Sequence, residues 1–191
     1  MKKHAIIFSI AFMAVSCRTA EFGFNVVDVN GMVYDFSNRP VPHCEISLGG
    51  KYKSGTDING RFSLLKVPVG IYTLTGYKKA FENYSGEVII KDKGQIIYVR
   101  IPSQSQLLAL ADDALTANDF AVAEKLVERA YQIDQNNIET LFYYAAVKFR
   151  RGEYDRAVSL LENARELGSR DVYVDKFLTV LREAQDAYQE N

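Results

Sequence analysis

The sequence has no tryptophan, four prolines, two histidines and two cysteines in 191 residues. One histidine lies before Cys17, which leaves His43 alone in the rest of the chain, so that part cannot build a zinc site that uses two histidines. The sequence also lacks a glycine-rich phosphate loop and a nucleophile elbow. We therefore predict neither an enzyme nor a bound cofactor or metal.

Excess charge and long apolar runs are also missing. The formal net charge is -1, from 23 basic and 24 acidic residues, so no overall field favours nucleic acid or an anionic membrane. After Cys17, no apolar run approaches the ~20 residues of a membrane-spanning helix. The hydrophobic share of 48% is that of an ordinary packed protein, and we expect a globular chain that does not bind nucleic acid.

The first 17 residues have the pattern of an export signal. A basic start, Met1-Lys2-Lys3, precedes an apolar run from Ala5 to Val15 that is too short to span a bilayer comfortably. Ala14-Val15-Ser16-Cys17 then resembles the lipobox of bacterial lipoproteins. The resemblance implies cleavage after Ser16 and acylation of Cys17, by chains such as palmitate. The alternative is an ordinary secretory signal that is cut elsewhere.

Arg18 follows Cys17, where an aspartate is associated with inner-membrane retention in lipoproteins of diderm bacteria. By that analogy we expect the protein in the cell envelope, lipid-anchored in the outer membrane and facing the periplasm or the cell surface. Residues 1–16 are then the signal peptide, and 17–25 the lipidated N-terminus and linker. Acylation of Cys17 leaves Cys44 without an intrachain disulfide partner, so we predict Cys44 as a small buried apolar residue.

Residues 26–102 have the pattern of short β-strands. Apolar and β-branched runs recur, and some alternate, as in Ile71-Tyr72-Thr73-Leu74-Thr75, so that one strand face can be buried. Turn signals separate the runs, among them Asn30-Gly31, Gly49-Gly50 and Asn59-Gly60. The spacing predicts an antiparallel sandwich.

Three motifs in this half resemble a known family, the carboxypeptidase regulatory-like domain. They are its opening in 31–48, its central turn in Thr56-Asp57-Ile58-Asn59-Gly60-Arg61-Phe62, and its next strand in 67–74. The resemblance implies a seven-stranded, transthyretin-like Greek-key sandwich over 26–102. It does not imply a peptidase, because the zinc chemistry of metallocarboxypeptidases lies in a separate catalytic domain.

From residue 104 onward, glycine and proline nearly vanish and the sequence repeats at an offset of 34. Matching pairs are Leu107 and Leu141, Ala111 and Ala145, Phe120 and Tyr154, Ala123 and Ala157, and Ala130 and Ala164. A 34-residue pair of antiparallel helices resembles the tetratricopeptide repeat. We predict a helical module over 104–191, with repeats at 104–137 and 138–171 and a capping helix at 172–188.

The tetratricopeptide resemblance also implies a partner-binding groove, lined by the first helix of each repeat. The family's groove positions fall here on Leu108, Asp112, Phe142, Tyr143, Phe149, Arg150, Tyr173 and Phe177. Aromatic side chains and arginine are enriched at binding hot spots. The same aromatic residues can instead pack on the sandwich or on the capping helix, or form a homodimer, and the sequence does not separate these alternatives.

We therefore expect a non-catalytic envelope adaptor or scaffold that binds a protein or peptide through the helical groove. The first alternative is a glycan-binding module in which the sandwich binds the glycan. Its candidate surface is the basic and aromatic stretch of Tyr77, Lys78, Lys79, Phe81 and Tyr84. The second is a homo-oligomeric structural lipoprotein.

Overall fold

The computed structural model describes residues 25–168 and 172–189. Within them, seven strands precede five helices. The strands are β1 Val26–Tyr34, β2 Glu45–Leu48, β3 Tyr52–Gly55, β4 Arg61–Pro68, β5 Gly70–Tyr77, β6 Tyr84–Ile90 and β7 Ile96–Arg100. The helices are α1 Gln104–Thr116, α2 Phe120–Ile133, α3 Ile138–Arg150, α4 Tyr154–Glu166 and α5 Val172–Gln189. This order confirms the predicted fold class of a β-rich half followed by a helical half.

The strands form two sheets that share one core. The first sheet has the order β4-β1-β7 and the second β3-β2-β5-β6, and β1 with β7 is the one parallel pair among these strands. Alternate side chains of both sheets point inward, including Val33, Leu64, Ile46 and Leu74, each at most 2% exposed. Cys44 is fully buried among them, as predicted.

Three details of the sheets differ from the sequence prediction. The strands β1 and β7 run parallel, whereas the spacing predicted an antiparallel sandwich. Asn30-Gly31 lies inside β1 rather than at a turn. A Cβ at Gly31 would come within 2.2 Å of the Phe62 ring, so this glycine allows a close approach between neighbouring strands. The short strand β3 has no apolar run that would predict it, because Tyr52-Lys53-Ser54-Gly55 offers no buried side chain and only half-buried ones on its inner face.

The helices follow the predicted repeats. Phe120 and Tyr154 each begin the second helix of a pair, after turns in which Asn118 and Gly152 have positive φ. The alanines at 111, 123, 145 and 157 are fully buried where the helices pack. Because alanine adds little bulk, paired helices can approach closely at these positions. No helix in the described part of the chain is both long and apolar enough to cross a membrane.

The helices are attached to one end of the sandwich. The side chain of Ser103 caps α1 in a capping box with Gln106, directly after β7. The backbone NH of Gln104 donates to the carbonyl of Ala80 (2.9 Å). Arg129 of α2 forms a two-pronged ion pair with Glu82, at 2.7 and 2.8 Å. The sandwich and the helices are thus joined by more than the connecting chain.

Candidate partner-binding face

The helices α1, α3 and α5 share one face of the helical module, and four half-buried aromatic rings lie on its α3 and α5 part. The Phe142 ring lies 5.5 Å from the Phe177 ring and 6.2 Å from the Tyr143 ring, between centroids. Phe149 lies 5.7 Å from the same Phe177. These four rings, called here the aromatic cluster, belong to the core of the helices and not to that of the sandwich.

Charged side chains border the aromatic cluster. Asp112 of α1, Glu139 of α3 and Arg150 of α3 are exposed. Burial, together with the carboxylates of Asp112 and Glu139, raises the pKa of the Tyr143 hydroxyl, which is hydrogen-bonded to Asp112. The phenol therefore stays protonated at neutral pH. Asp112 and Glu139 make the α1 side of the cluster acidic, whereas the basic residue Arg150 follows Phe149 at the end of α3.

The predicted groove residues do not all reach the surface of this face. Asp112, Phe142, Tyr143, Phe149, Arg150 and Phe177 come together as described. Leu108 is only 2% exposed and packs beneath the face with Leu107 and Ala130, and the little surface that it retains lines a cleft between the helices and the sandwich. Tyr173 lies on α5, but its side chain is outside the described part of the structure, as is the whole of Cys17.

A buried ion network, which the sequence did not reveal, lies on another side of α3 and holds it to the neighbouring helices. The Nζ atom of Lys148 donates to Glu124 of α2 (2.5 Å) and to Glu153 before α4 (2.9 Å). Burial lowers the pKa of Lys148, but the hydrogen bonds that Lys148 donates to these two carboxylates, together with their negative charges, outweigh burial and raise the pKa overall. From the sequence alone, a lysine in a helix is expected at the surface. Glu124 and Glu153 come close to Lys148 only because the helices pack against one another.

A cleft of about 480 Å³ lies where the sandwich meets α1 and α3. Glu139 lines this cleft, and its negative charge also raises the pKa of Tyr143 in the aromatic cluster. Asp35 and Arg39 line its sandwich side, paired at 3.1 Å.

The basic and aromatic stretch between β5 and β6 is largely engaged within the molecule. Phe81 and Tyr84 pack against the sandwich core, and Lys78 donates to the carbonyl of Pro42. The same loop carries Glu82, the partner of Arg129. These contacts give the stretch a role in joining the two halves. Tyr77 and Lys79 stay exposed, and with Phe81 and Arg129 they line a cavity of about 300 Å³.

One carboxylate oxygen of Asp57 accepts the backbone NH groups of Asn59 and Arg61, both at 2.8 Å, which holds a tight turn. This turn does not close a hairpin, because the strands that it connects, β3 and β4, belong to different sheets. Over the described ranges, no group of three or more histidine, cysteine, aspartate or glutamate side chains is placed to hold a metal.

Comparison with known proteins supports the helical assignment. The family model of the anaphase-promoting complex, cyclosome, subunit 3, matches residues 116–188. With the five helices of the structure, this match indicates a tetratricopeptide-like module, which is a protein-interaction fold, and no enzymatic family is indicated. No curated protein matches the chain.

Several solved structures are similar to parts of the chain. The first TPR of Spaghetti (RPAP3) bound to the HSP90 peptide SRMEEVD is 18% identical over 44% of this chain and 67% of its own, with a TM-score of 0.42. A type II cohesin–X-dockerin complex from Acetivibrio cellulolyticus is 16% identical over 40% of this chain, which spans 58% of that one, with a TM-score of 0.36. BcpA, the major pilin subunit of Bacillus cereus, is 15% identical over 41% of this chain and 28% of its own, with a TM-score of 0.34.

Proposed function

We propose that this protein is a lipid-anchored adaptor of the bacterial cell envelope, which binds a protein or peptide partner through the face formed by α1, α3 and α5. The observation that carries the proposal is the aromatic cluster, whose four rings lie against one another and are only partly covered by the rest of the protein. Contiguous exposed apolar surface on a folded protein marks an interaction site. The interaction fold of the helical module supports the same function.

The chemistry of the face suggests what it would recognise. The rings of Phe142 and Phe177 offer a surface for an apolar or aromatic side chain of the partner. Asp112 and Glu139 favour a basic residue on the α1 side, and Arg150 favours an acidic residue at the other end. The expected partner segment therefore carries an apolar anchor between charges of opposite sign.

The remaining part of the proposal is the anchor at Cys17, in the outer membrane. It rests on the lipobox resemblance of Ala14-Val15-Ser16-Cys17 and on Arg18 in the next position. Acyl chains contribute roughly 0.8 kcal/mol per buried CH₂, so a doubly or triply acylated cysteine suffices to hold a protein of this size on a bilayer.

A double charge reversal tests the face without disturbing the core. Asp112→Lys with Arg150→Glu changes two exposed side chains, and we expect crosslinked partner recovered from the native envelope to fall at least tenfold, because repulsion replaces attraction at both ends. The measurement is quantitative mass spectrometry of crosslinked complexes. Phe142→Ala, made separately, should also reduce recovery.

The matched control is Lys125→Glu with Glu166→Lys, two exposed residues of α2 and α4. It reverses the same two charge signs away from the face and should leave recovery unchanged, with both proteins showing the wild-type circular dichroism melt. Equal recovery by the two double variants would rule out this face as the binding site. Recovery of only a second copy of the chain would indicate the homo-oligomeric alternative.

A further inference from the structure

The end of the sandwich where β1 begins lies opposite the attachment of the helices. Val26 of β1 pairs with Pro68 at the end of β4, and Gly70 at the start of β5 pairs with Ile90 at the end of β6. Four strand ends therefore meet here, and we call this region the basal end. The helices contact the other end, through the loops that hold Ala80 and Glu82.

Exposed aliphatic side chains surround the basal end. Five of them, between 39% and 65% exposed, are Val26, Leu65, Val69, Ile71 and Ile89. Ile71 and Ile89 face each other across β5 and β6 on the outer face of one sheet, and Leu65 lies on the outer face of the other. The solvated face of a strand usually carries polar side chains, which alternate with the buried ones, so large aliphatic side chains are unusual at these exposed positions.

Lysines accompany these aliphatic residues. Lys66 follows Leu65 in β4, and Lys91 and Lys93 lie in the loop after β6, all three exposed. Three carboxylates lie nearby, Asp28, Glu87 and Asp92, and Asp28 accepts the backbone NH of Lys66 (3.0 Å). Aliphatic side chains ringed by lysines are complementary to a bilayer surface, with its acyl boundary and its anionic phosphates.

The path of the chain selects the occupant of this surface. The described chain enters the sandwich at the basal end, where the carbonyl of Asn25 accepts the backbone NH of Val69 (2.9 Å). Eight peptide steps separate Asn25 from Cys17. Fully extended, they span at most about 29 Å. A lipid on Cys17 would therefore keep the basal end within that distance of the membrane.

We propose that the basal end docks on the surface of the bilayer in which Cys17 is anchored, an inference that rests on the proposed lipid anchor. The aliphatic residues enter the interface and the lysines contact anionic headgroup phosphates. The sandwich then stands upright as a spacer. Because β5 runs its full length of eight residues away from the basal end, the helices are held about 25 Å from the membrane.

The test replaces the natural anchor with a synthetic one, so that docking is measured whether or not Cys17 is acylated in cells. The chain from residue 18 onward carries an N-terminal polyhistidine tag bound to nickel-chelating lipid, in vesicles of phosphatidylcholine and phosphatidylglycerol. A Cys44→Ala background accepts one environment-sensitive dye, at Asp92→Cys on the basal end or at Asp113→Cys on α1. We expect headgroup nitroxides to quench the first dye strongly and the second hardly at all.

Lysine variants test the contacts. Each lysine near an anionic surface contributes about 1 kcal/mol, so Lys66→Gln should lower the ratio of docked to undocked protein about fivefold. Lys66→Gln with Lys93→Gln should lower it about 25-fold, whereas Lys79→Gln with Lys125→Gln, both remote from the basal end, should leave it unchanged.

Equal quenching of the two dyes would overturn the proposal, because the molecule would then tumble freely on its tether. Equal effects of the two lysine pairs would also overturn it, since they would report only net charge. A blue shift of the dye at position 92 that grows with protein concentration without vesicles would make the basal end an interface between copies. None of these results bears on acylation of Cys17, which cell fractionation tests separately.

Discussion

At the scale of single residues, Asp35 shows how a buried charge organises the end of the sandwich that faces the helices. Its carboxylate accepts the backbone NH groups of Ser37 (2.8 Å) and Arg39 (2.9 Å) and the guanidinium of Arg39 (3.1 Å). Ser37 in turn accepts a hydrogen bond from Gln106 of α1 at 2.9 Å. The loop that Asp35 holds is thus part of the junction with the helices.

The pH dependence of stability should reveal this carboxylate. Burial raises the pKa of Asp35, but the hydrogen bonds and the charge of Arg39 outweigh it, so the pKa lies below its ordinary value of 3.8. A lowered pKa in the folded state means that the stabilisation is complete above about pH 4 and is lost as the pH falls through the folded pKa. We expect Asp35→Asn to lower the free energy of unfolding at pH 7 by about 1–3 kcal/mol.

Urea unfolding at a series of pH values measures this effect. The difference between wild type and Asp35→Asn should shrink as the pH falls below 4, because Asp35 binds a proton first in the unfolded chain and in the folded protein only as the pH passes its lowered pKa. Asp113→Asn, at an exposed position of α1, is the control and should follow the wild type throughout. Parallel stability curves for wild type and Asp35→Asn would contradict the assignment.

At the scale of elements, the helices were predictable because the same pattern of buried residues occurs twice, at an offset of 34. Leu141, Ala145 and Ala157 repeat Leu107, Ala111 and Ala123, and all six are fully buried. The strands were less predictable, since a glycine in a sequence does not tell a turn from a close approach. Asn30-Gly31 resembles a turn signal, and only the position of the Phe62 ring explains the glycine.

Enlarging a buried alanine tests the close packing of α2. Ala123→Leu should destabilise the protein by about 1–3 kcal/mol, because the added carbons have no space between the helices. At this chain length, that corresponds to a decrease in Tm of about 2–4 °C per kcal/mol, measured by thermal circular dichroism. Ala121→Leu, two positions away on the exposed side of α2, should leave Tm within 1–2 °C of the wild type. If both variants melt alike, Ala123 does not set the helix spacing.

At the scale of the whole molecule, the two ends of the sandwich have different tasks in the proposed function. One end receives the chain from Cys17, and the other holds the helices through Gln104 and the Arg129–Glu82 pair. The sandwich thus separates the proposed anchor from the aromatic cluster. An adaptor with this geometry would reach a partner that does not itself contact the membrane.

The anchor is tested on the intact protein in cells. Cys17→Ser removes the proposed acceptor of the lipid, and we expect the protein to move from the membrane fraction to the soluble envelope fraction and to lose label from a fatty-acid analogue. Cys44→Ser changes the remaining cysteine and should stay in the membrane fraction with its label. Retention of the label by Cys17→Ser would contradict lipidation at that residue.

The sequence by itself determined the β-then-α order, the burial of Cys44, the helix pairs and the positions of their alanines. These features follow from local periodicity, because the spacing of apolar residues along a strand or helix determines which of its sides is buried. The tertiary structure alone decided that Leu108 is covered, that the rings of Phe142 and Phe177 meet, and that Lys148 finds two carboxylates. Such pairings join residues far apart in the chain, and their geometry depends on how whole elements pack rather than on any local pattern.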